Sequence, residues 1–172
     1  NVLGSNGSVI PKFVDQIKLG KKITITDPEM TRFSITMDEA LDFILESTKI
    51  GKGSEIFIPK LRTYSIMDVK DVLFELIDNV EEEYVGIRPG EKLHETLINL
   101  DEMRYTFELD NKYVIRKSSK IENNDIEKNK KMKKVDESQP YSSDLTEKIP
   151  KNELKIILKN FLTNYEEQNL KK

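Results

Sequence analysis

The sequence predicts a mixed α/β domain followed by a carboxy-terminal helix. Short runs alternating with period two recur between runs of helical period. The two clearest helical runs each open on a Ser/Thr-x-x-acid cap, Thr36 with Glu39 and Ser65 with Asp68. Proline or glycine marks most of the junctions between runs.

The opening NVLGSNGS reads as a loop, and Pro11 stands where a first helical turn accepts proline, its missing N–H being unpaired there in any case. Phe13, Val14 and Ile17 share one face of the helix that follows, and Gly20 supplies the permissive backbone for its end. Ile23, Thr24, Ile25 and Thr26 alternate as a half-buried strand does. Asp27-Pro28 then turns the chain, and Arg32 to Ile35 is extended again. The capping box of Thr36 and Glu39 precedes Met37, Leu41, Ile44, Leu45 and Thr48 at helical spacing. After Gly51-Lys52-Gly53, Glu55 to Ile58 reads as a short buried strand ended by Pro59. Ser65 and Asp68 then open a helix that carries Ile66, Val69, Val72, Leu73, Leu76 and Ile77.

Tyr84 to Ile87 is extended and leads into Arg88-Pro89-Gly90-Glu91-Lys92, after which Leu93, Leu97 and Ile98 predict a short helix. Tyr105 to Leu109 and Tyr113 to Arg116 predict a hairpin around Asp110-Asn111. Residues 117–139 are mostly Lys, Asn, Glu and Asp, with too few apolar groups to offset the entropy of ordering, so a flexible linker is expected. Order resumes at Pro140-Tyr141-Ser142-Ser143. A last helix from Pro150 carries Leu154, Ile157, Leu158, Phe161, Leu162 and Tyr165 in an apolar stripe that needs a partner surface. The expected division is a domain over 1–116, a linker over 117–139 and a carboxy-terminal segment over 140–172.

At 172 residues the chain is long enough for one domain of ordinary size. A net charge of -3 supplies no global field to attract nucleic acid or an anionic membrane, so any anion must be held locally. With no cysteine, disulfides, thiolate metal sites and cysteine nucleophiles are excluded, and a reducing cytoplasm is the expected setting. No apolar run approaches the roughly 20 residues that span a bilayer. Because the chain opens on Asn1 inside a Gly- and Ser-rich loop, a fragment of a longer protein is expected.

Little in the sequence points to catalysis. His94 is the one histidine, with no nucleophile turn around it and no second histidine at ligand spacing. It reads as a partly exposed helix residue, and neither a catalytic residue nor a metal site is expected. Gly4, Gly7, Gly51 and Gly53 do not sit between a strand and a helix of a βαβ unit, as a dinucleotide loop requires. The lysines of 128–134 are flanked by acids and lack interleaved aromatics, which argues against RNA. Arg32 and Arg88 each stand beside a rigid turn. Their planar forks match phosphate oxygens, so they form either a diphosphate clamp or a pair of surface ion pairs.

The motifs NVLGSNGSVIP, ITITDPEMTRF, EIFIPK, GIRPGEKLHE and YSS, in this order, resemble the polysaccharide-biosynthesis branch of the extended short-chain dehydrogenase/reductases, and most closely its inverting UDP-N-acetylglucosamine 4,6-dehydratases. The resemblance runs from Asn1 to about Leu109 and returns at Tyr141-Ser142-Ser143. It implies the small α/β substrate-binding domain of such an enzyme, without the Rossmann half that holds NADP and the Tyr-Lys catalytic pair. This chain alone is thus expected to bind no cofactor and to be inactive.

By position in the motifs, the expected UDP-sugar contacts are Asn1, the loop of Val9, Ile10 and Pro11, and the strand Ile23, Thr24 and Ile25 beside uracil. Arg32 and Arg88 resemble the diphosphate-binding arginines, with Glu91 on a ribose hydroxyl or orienting Arg88. The pattern departs at Asn6, where the family generally places arginine, and in the Lys-rich insertion. Expected partners are a UDP-sugar, the missing Rossmann half and, in the full-length enzyme, further copies of itself, with no nucleic acid or membrane. The alternatives are a UDP-sugar 4-epimerase of capsule synthesis and a non-catalytic docking fragment.

Overall fold

A computed structural model describes residues 2–5, 7–116 and 132–169. Its elements run α1 (Val9–Lys18), β1 (Ile23–Ile25), β2 (Thr31–Ser34), α2 (Met37–Ile50), β3 (Ile56–Pro59), β4 (Arg62–Ser65) and α3 (Ile66–Leu76). There follow β5 (Glu82–Tyr84), β6 (Thr96–Ile98), α4 (Leu100–Met103), β7 (Thr106–Leu109), β8 (Lys112–Ile115), β9 (Lys133–Lys134), β10 (Tyr141–Ser142) and α5 (Lys151–Asn169). The mixed α/β class is as expected, but the strands pair into small separate sheets rather than one.

β1 lies parallel to β5, β2 antiparallel to β4 and β6 antiparallel to β10, while β3, β8, β7 and β9 form an antiparallel sheet in that order. The hairpin is present as β7 and β8, with Asp110 at φ 50 in its turn, a left-handed conformation that aspartate tolerates.

The main core lies where α1, α3 and α5 meet β1. Ile10, Phe13, Val14, Ile23, Ile25, Val69, Leu73, Leu154 and Leu158 are at most 1% exposed there. The stripe of the last helix thus finds its partner surface on α3 and α1, so residues 140–169 pack into the same body as the first domain. Gly4 explains how closely α5 approaches. It holds φ +74, and a Cβ at that position would collide with the Phe161 ring. A second core gathers Phe33, Ile58, Ile98, Met103 and Tyr141, with the Tyr141 ring 4.9 Å from both Phe33 and Tyr113.

Several expectations need correction. Leu93, Leu97 and Ile98 do not form a helix. Ile98 pairs with Tyr141 in β6, and the helix starts two residues later, where Asn99 and Glu102 form a capping box. Glu55 to Ile58 is not buried throughout: Ile58 is covered and Phe57 half-buried, but Ile56, on the same face as Ile58, is exposed, so cover is lost along the strand towards its start. Of the expected linker, residues 117–131 lie outside the described residues. Its far end is structured, because Met132 is buried against Phe107 and Val114 and β9 extends the sheet at β7. The capping box of α2 is present, yet the helix buries none of its residues. No helix among the described residues is long and apolar enough to cross a membrane.

Candidate functional site

A cleft that gathers several cations opens beside α1, with a volume of about 210 Å³. One wall is the amino end of α1, contributing Val9 and Phe13. Another is β1 and the residue after it, contributing Thr24 and Thr26, and Met30 and Ile66 line it as well. Period-two alternation decides which strand residues face it. Ile23 and Ile25 turn into the core at 0% exposure while Thr24 turns outward, held by Gln16, whose amide donates to the Thr24 hydroxyl at 3.2 Å.

Arg32 and Arg88 line this same cleft, but they are held very differently. Arg32 is largely covered. Its Nη1 donates to the carbonyls of Thr31 at 2.7 Å and Leu93 at 3.0 Å, and its Nε lies 3.8 Å from a Glu95 carboxylate oxygen. Its cross-strand neighbour Tyr64 is 3% exposed, and burial, with the Glu95 charge adding to it and Arg32 opposing, pushes the Tyr64 hydroxyl up to about 12. Arg88 is exposed and its guanidinium has no partner among the described residues. What is rigid is its backbone: Glu91 N–H donates to the Arg88 carbonyl at 3.0 Å across Pro89-Gly90, with Gly90 at φ +87. That is a type II turn with each residue in its preferred place. The Glu91 carboxylate accepts the Arg88 backbone N–H at 3.1 Å, so it fixes the turn rather than neutralising the guanidinium.

The turn is tied to the rest of the body by a buried polar network. Ser143, at 0% exposure, accepts the Glu95 N–H at 2.9 Å, and its hydroxyl lies 2.7 Å from that of Thr31. The Thr31 hydroxyl is in turn 2.8 Å from His94 Nδ1. His94 is therefore a half-buried loop residue that anchors the carboxy-terminal segment, not a helix residue.

Of the expected contact residues, Val9, Thr24, Arg32, Arg88 and Glu91 line the cleft. Ile10, Pro11, Ile23 and Ile25 do not line it, because helical and strand periodicity turns their side chains into the core. Asn1 lies outside the described residues. Sequence reading missed Lys12, Thr26 and Met30. Lys12 had one signal, its place on the polar side of α1, but nothing local says that this side borders a cleft. A larger hollow of about 290 Å³ beside α2 sets Glu39, Asp42 and Glu46 against Lys60, a balance unsuited to an anion. Among the described residues no group of three His, Asp or Glu side chains is placed to hold a metal ion.

Residues 1–117 match the family described as "Polysaccharide biosynthesis protein". The inverting UDP-N-acetylglucosamine 4,6-dehydratase of Campylobacter jejuni is 41% identical over 150 residues, which are 84% of this chain and 44% of that protein. The UDP-glucose 4-epimerase of Rickettsia massiliae is 33% identical over 172 residues, 99% of this chain and 50% of that one. Among solved structures, Pen from Bacillus thuringiensis superposes with a TM-score of 0.78 at 38% identity, covering 93% of this chain and 48% of its own. The chain spans about half the length of the curated relatives it matches.

Proposed function

The chain belongs to the polysaccharide biosynthesis protein family, and from that membership we propose that it is the nucleotide-sugar-binding part of an inverting UDP-N-acetylglucosamine 4,6-dehydratase serving bacterial surface-glycan synthesis. The observation that supports this most is the convergence of Arg32 and Arg88 on one cleft. Arg32, spent mainly on backbone carbonyls, supplies fixed positive potential at the floor. Arg88 is free to close on phosphate oxygens with charge-assisted hydrogen bonds. Thr24 and Thr26 offer hydroxyls, and Val9 and Phe13 an apolar wall, beside the nucleoside.

In this reading the reaction takes hydride from sugar C4, eliminates water across C5 and C6, and returns hydride to C6. NADP, held by a Rossmann half, would supply the hydride chemistry. The described residues do not fit that cofactor. Val2 bridges Ile35, while β1, the strand after α1, pairs with β5, so no glycine turn opens the helix of a βαβ unit. The part played by this chain is to hold and orient the substrate.

Docking of a Rossmann half is supported by α2, on which Met37, Leu41, Ile44 and Leu45 are between 51% and 58% exposed. An apolar face of that extent marks an interaction surface. A cytoplasmic setting and a homo-oligomeric full-length enzyme belong to the same reading.

The test combines this chain with the amino-terminal half of the Campylobacter jejuni relative and NADP, and follows a 4-keto-6-deoxy product from UDP-N-acetylglucosamine. Product from the pair and none from this chain alone supports the reading, while 4-keto product from this chain alone overturns it. The epimerase reading draws on the Rickettsia relative matching 99% of the chain, and a 4-epimer without water loss would select it.

A further inference from the structure

We propose that Lys12 is a specificity-determining residue of the cleft, a third cation that reads the diphosphate of a nucleotide ligand. The proposal rests on the nucleotide-sugar reading above and extends it to a residue outside the expected contact set. Lys12 stands on the first turns of α1, lines the cleft with Arg32 and Arg88, and is exposed. Its ammonium has no acid or hydrogen-bond partner among the described residues.

The neighbouring charges make that lack of a partner informative. Lys18, the other lysine of α1, reaches across the fold to Glu166 at 2.6 Å. Asp15, within one turn of Lys12, accepts instead from the Tyr165 hydroxyl at 2.8 Å. Glu91, the acid that lines the cleft, is turned to the Arg88 backbone N–H. No acid lies in the first turn of α1, so the positive end of that helix adds to the lysine rather than being cancelled.

Charge balance then decides what fits. Lys12, Arg32 and Arg88 line the cleft with Glu91, and Arg32 already lies 3.8 Å from the Glu95 carboxylate, so Lys12 and Arg88 are the cations left for a ligand. A sugar nucleotide carries one negative charge on each phosphate of its diphosphate, so Lys12 and Arg88 together match it and Arg88 alone does not. An uncharged nucleoside gains nothing from it. Lys12 therefore discriminates a phosphorylated nucleotide from the free nucleoside, and its unbranched stem lets the ammonium follow either phosphate.

The experiment uses the whole chain and two probes, UDP and uridine, titrated by calorimetry into wild type, Lys12→Met and Arg88→Met. Met keeps the stem length, and Lys12 is exposed, so folding is preserved. Lys12→Met is expected to weaken UDP about tenfold at low salt. The difference should collapse near 1 M salt, where the screening length is about 3 Å, and uridine should bind both proteins equally. UDP affinity unchanged in Lys12→Met but reduced in Arg88→Met would overturn the role of Lys12 alone. A wild-type chain that binds uridine as tightly as UDP, or binds neither, would overturn the diphosphate reading of the cleft and Lys12 with it.

Discussion

Replacing Arg32 and Arg88 separately with methionine should split stability from binding, because one guanidinium is built into the fold and the other is not. Arg32→Met removes two hydrogen bonds to the carbonyls of Thr31 and Leu93. Neither carbonyl is orphaned, since Thr31 O also accepts from Ser143 at 3.2 Å and Leu93 O from the Thr31 N–H at 3.2 Å. The loss is therefore that of two ordinary bonds, about 2 kcal/mol together. The contact of Arg32 with Glu95, long at 3.8 Å and partly covered, adds up to about 1 kcal/mol. A total of about 2–3 kcal/mol corresponds to roughly 5–10 °C in Tm for a chain of this size. Arg88→Met breaks no described side-chain contact and should stay within about 0.5 kcal/mol of wild type. It should instead weaken UDP by about tenfold or more, the worth of a charge-assisted bond. Urea titration followed by circular dichroism measures the first quantity and calorimetry with UDP the second. An Arg32→Met chain as stable as wild type, or an Arg88→Met chain equally destabilised, would refute the division of labour.

Ser143→Ala should cost about 1–3 kcal/mol in urea unfolding, because it leaves the Glu95 N–H buried without its acceptor; a loss under about 0.5 kcal/mol would count against the network as the anchor of the carboxy-terminal segment. Gly4→Ala should destabilise by about 2 kcal/mol or more through left-handed backbone strain and collision with the Phe161 ring. Adding Phe161→Ala should then cost less than the sum of the single changes, and strict additivity would argue against the contact. Tyr64 and Tyr141, both pushed up to about 12 by burial, are held above the ordinary tyrosine value near 10. Their folded pKa values are raised, so this contribution to stability is intact below pH 10 and is lost as pH rises from 10 towards 12. Tyrosinate absorbance should show both ionising together with alkaline unfolding, and titration of either at pH 10 in a folded chain would contradict their burial.

What the sequence by itself determined is what neighbours within one helical turn or one strand decide. The capping boxes at Thr36 and Asn99 differ in that only the first was read, yet both follow the same local chemistry. The core faces of α1, α3 and α5 followed from helical period, the hairpin from Asp110-Asn111, and the proximity of Arg32 and Arg88 to a shared cleft from the motifs that hold them. Tertiary structure alone decided the pairings that join distant residues. Leu93, Leu97 and Ile98 have helical spacing, but Ile98 gains more by pairing with Tyr141 than a short isolated helix can return. Lys133 and Lys134 lie in a stretch too polar to fold by itself, and they form a strand because β7 presents an open edge. Arg32 and Arg88 look alike in sequence, and only the arrival of Leu93 and Glu95 beside β2 makes one a structural anchor and leaves the other free. Local propensity is set by residues a few positions apart and can be read along the chain, whereas the partner of a strand edge or a guanidinium depends on contacts between distant residues, such as Thr31 and Ser143, 112 positions apart, whose closure cost only the whole fold repays.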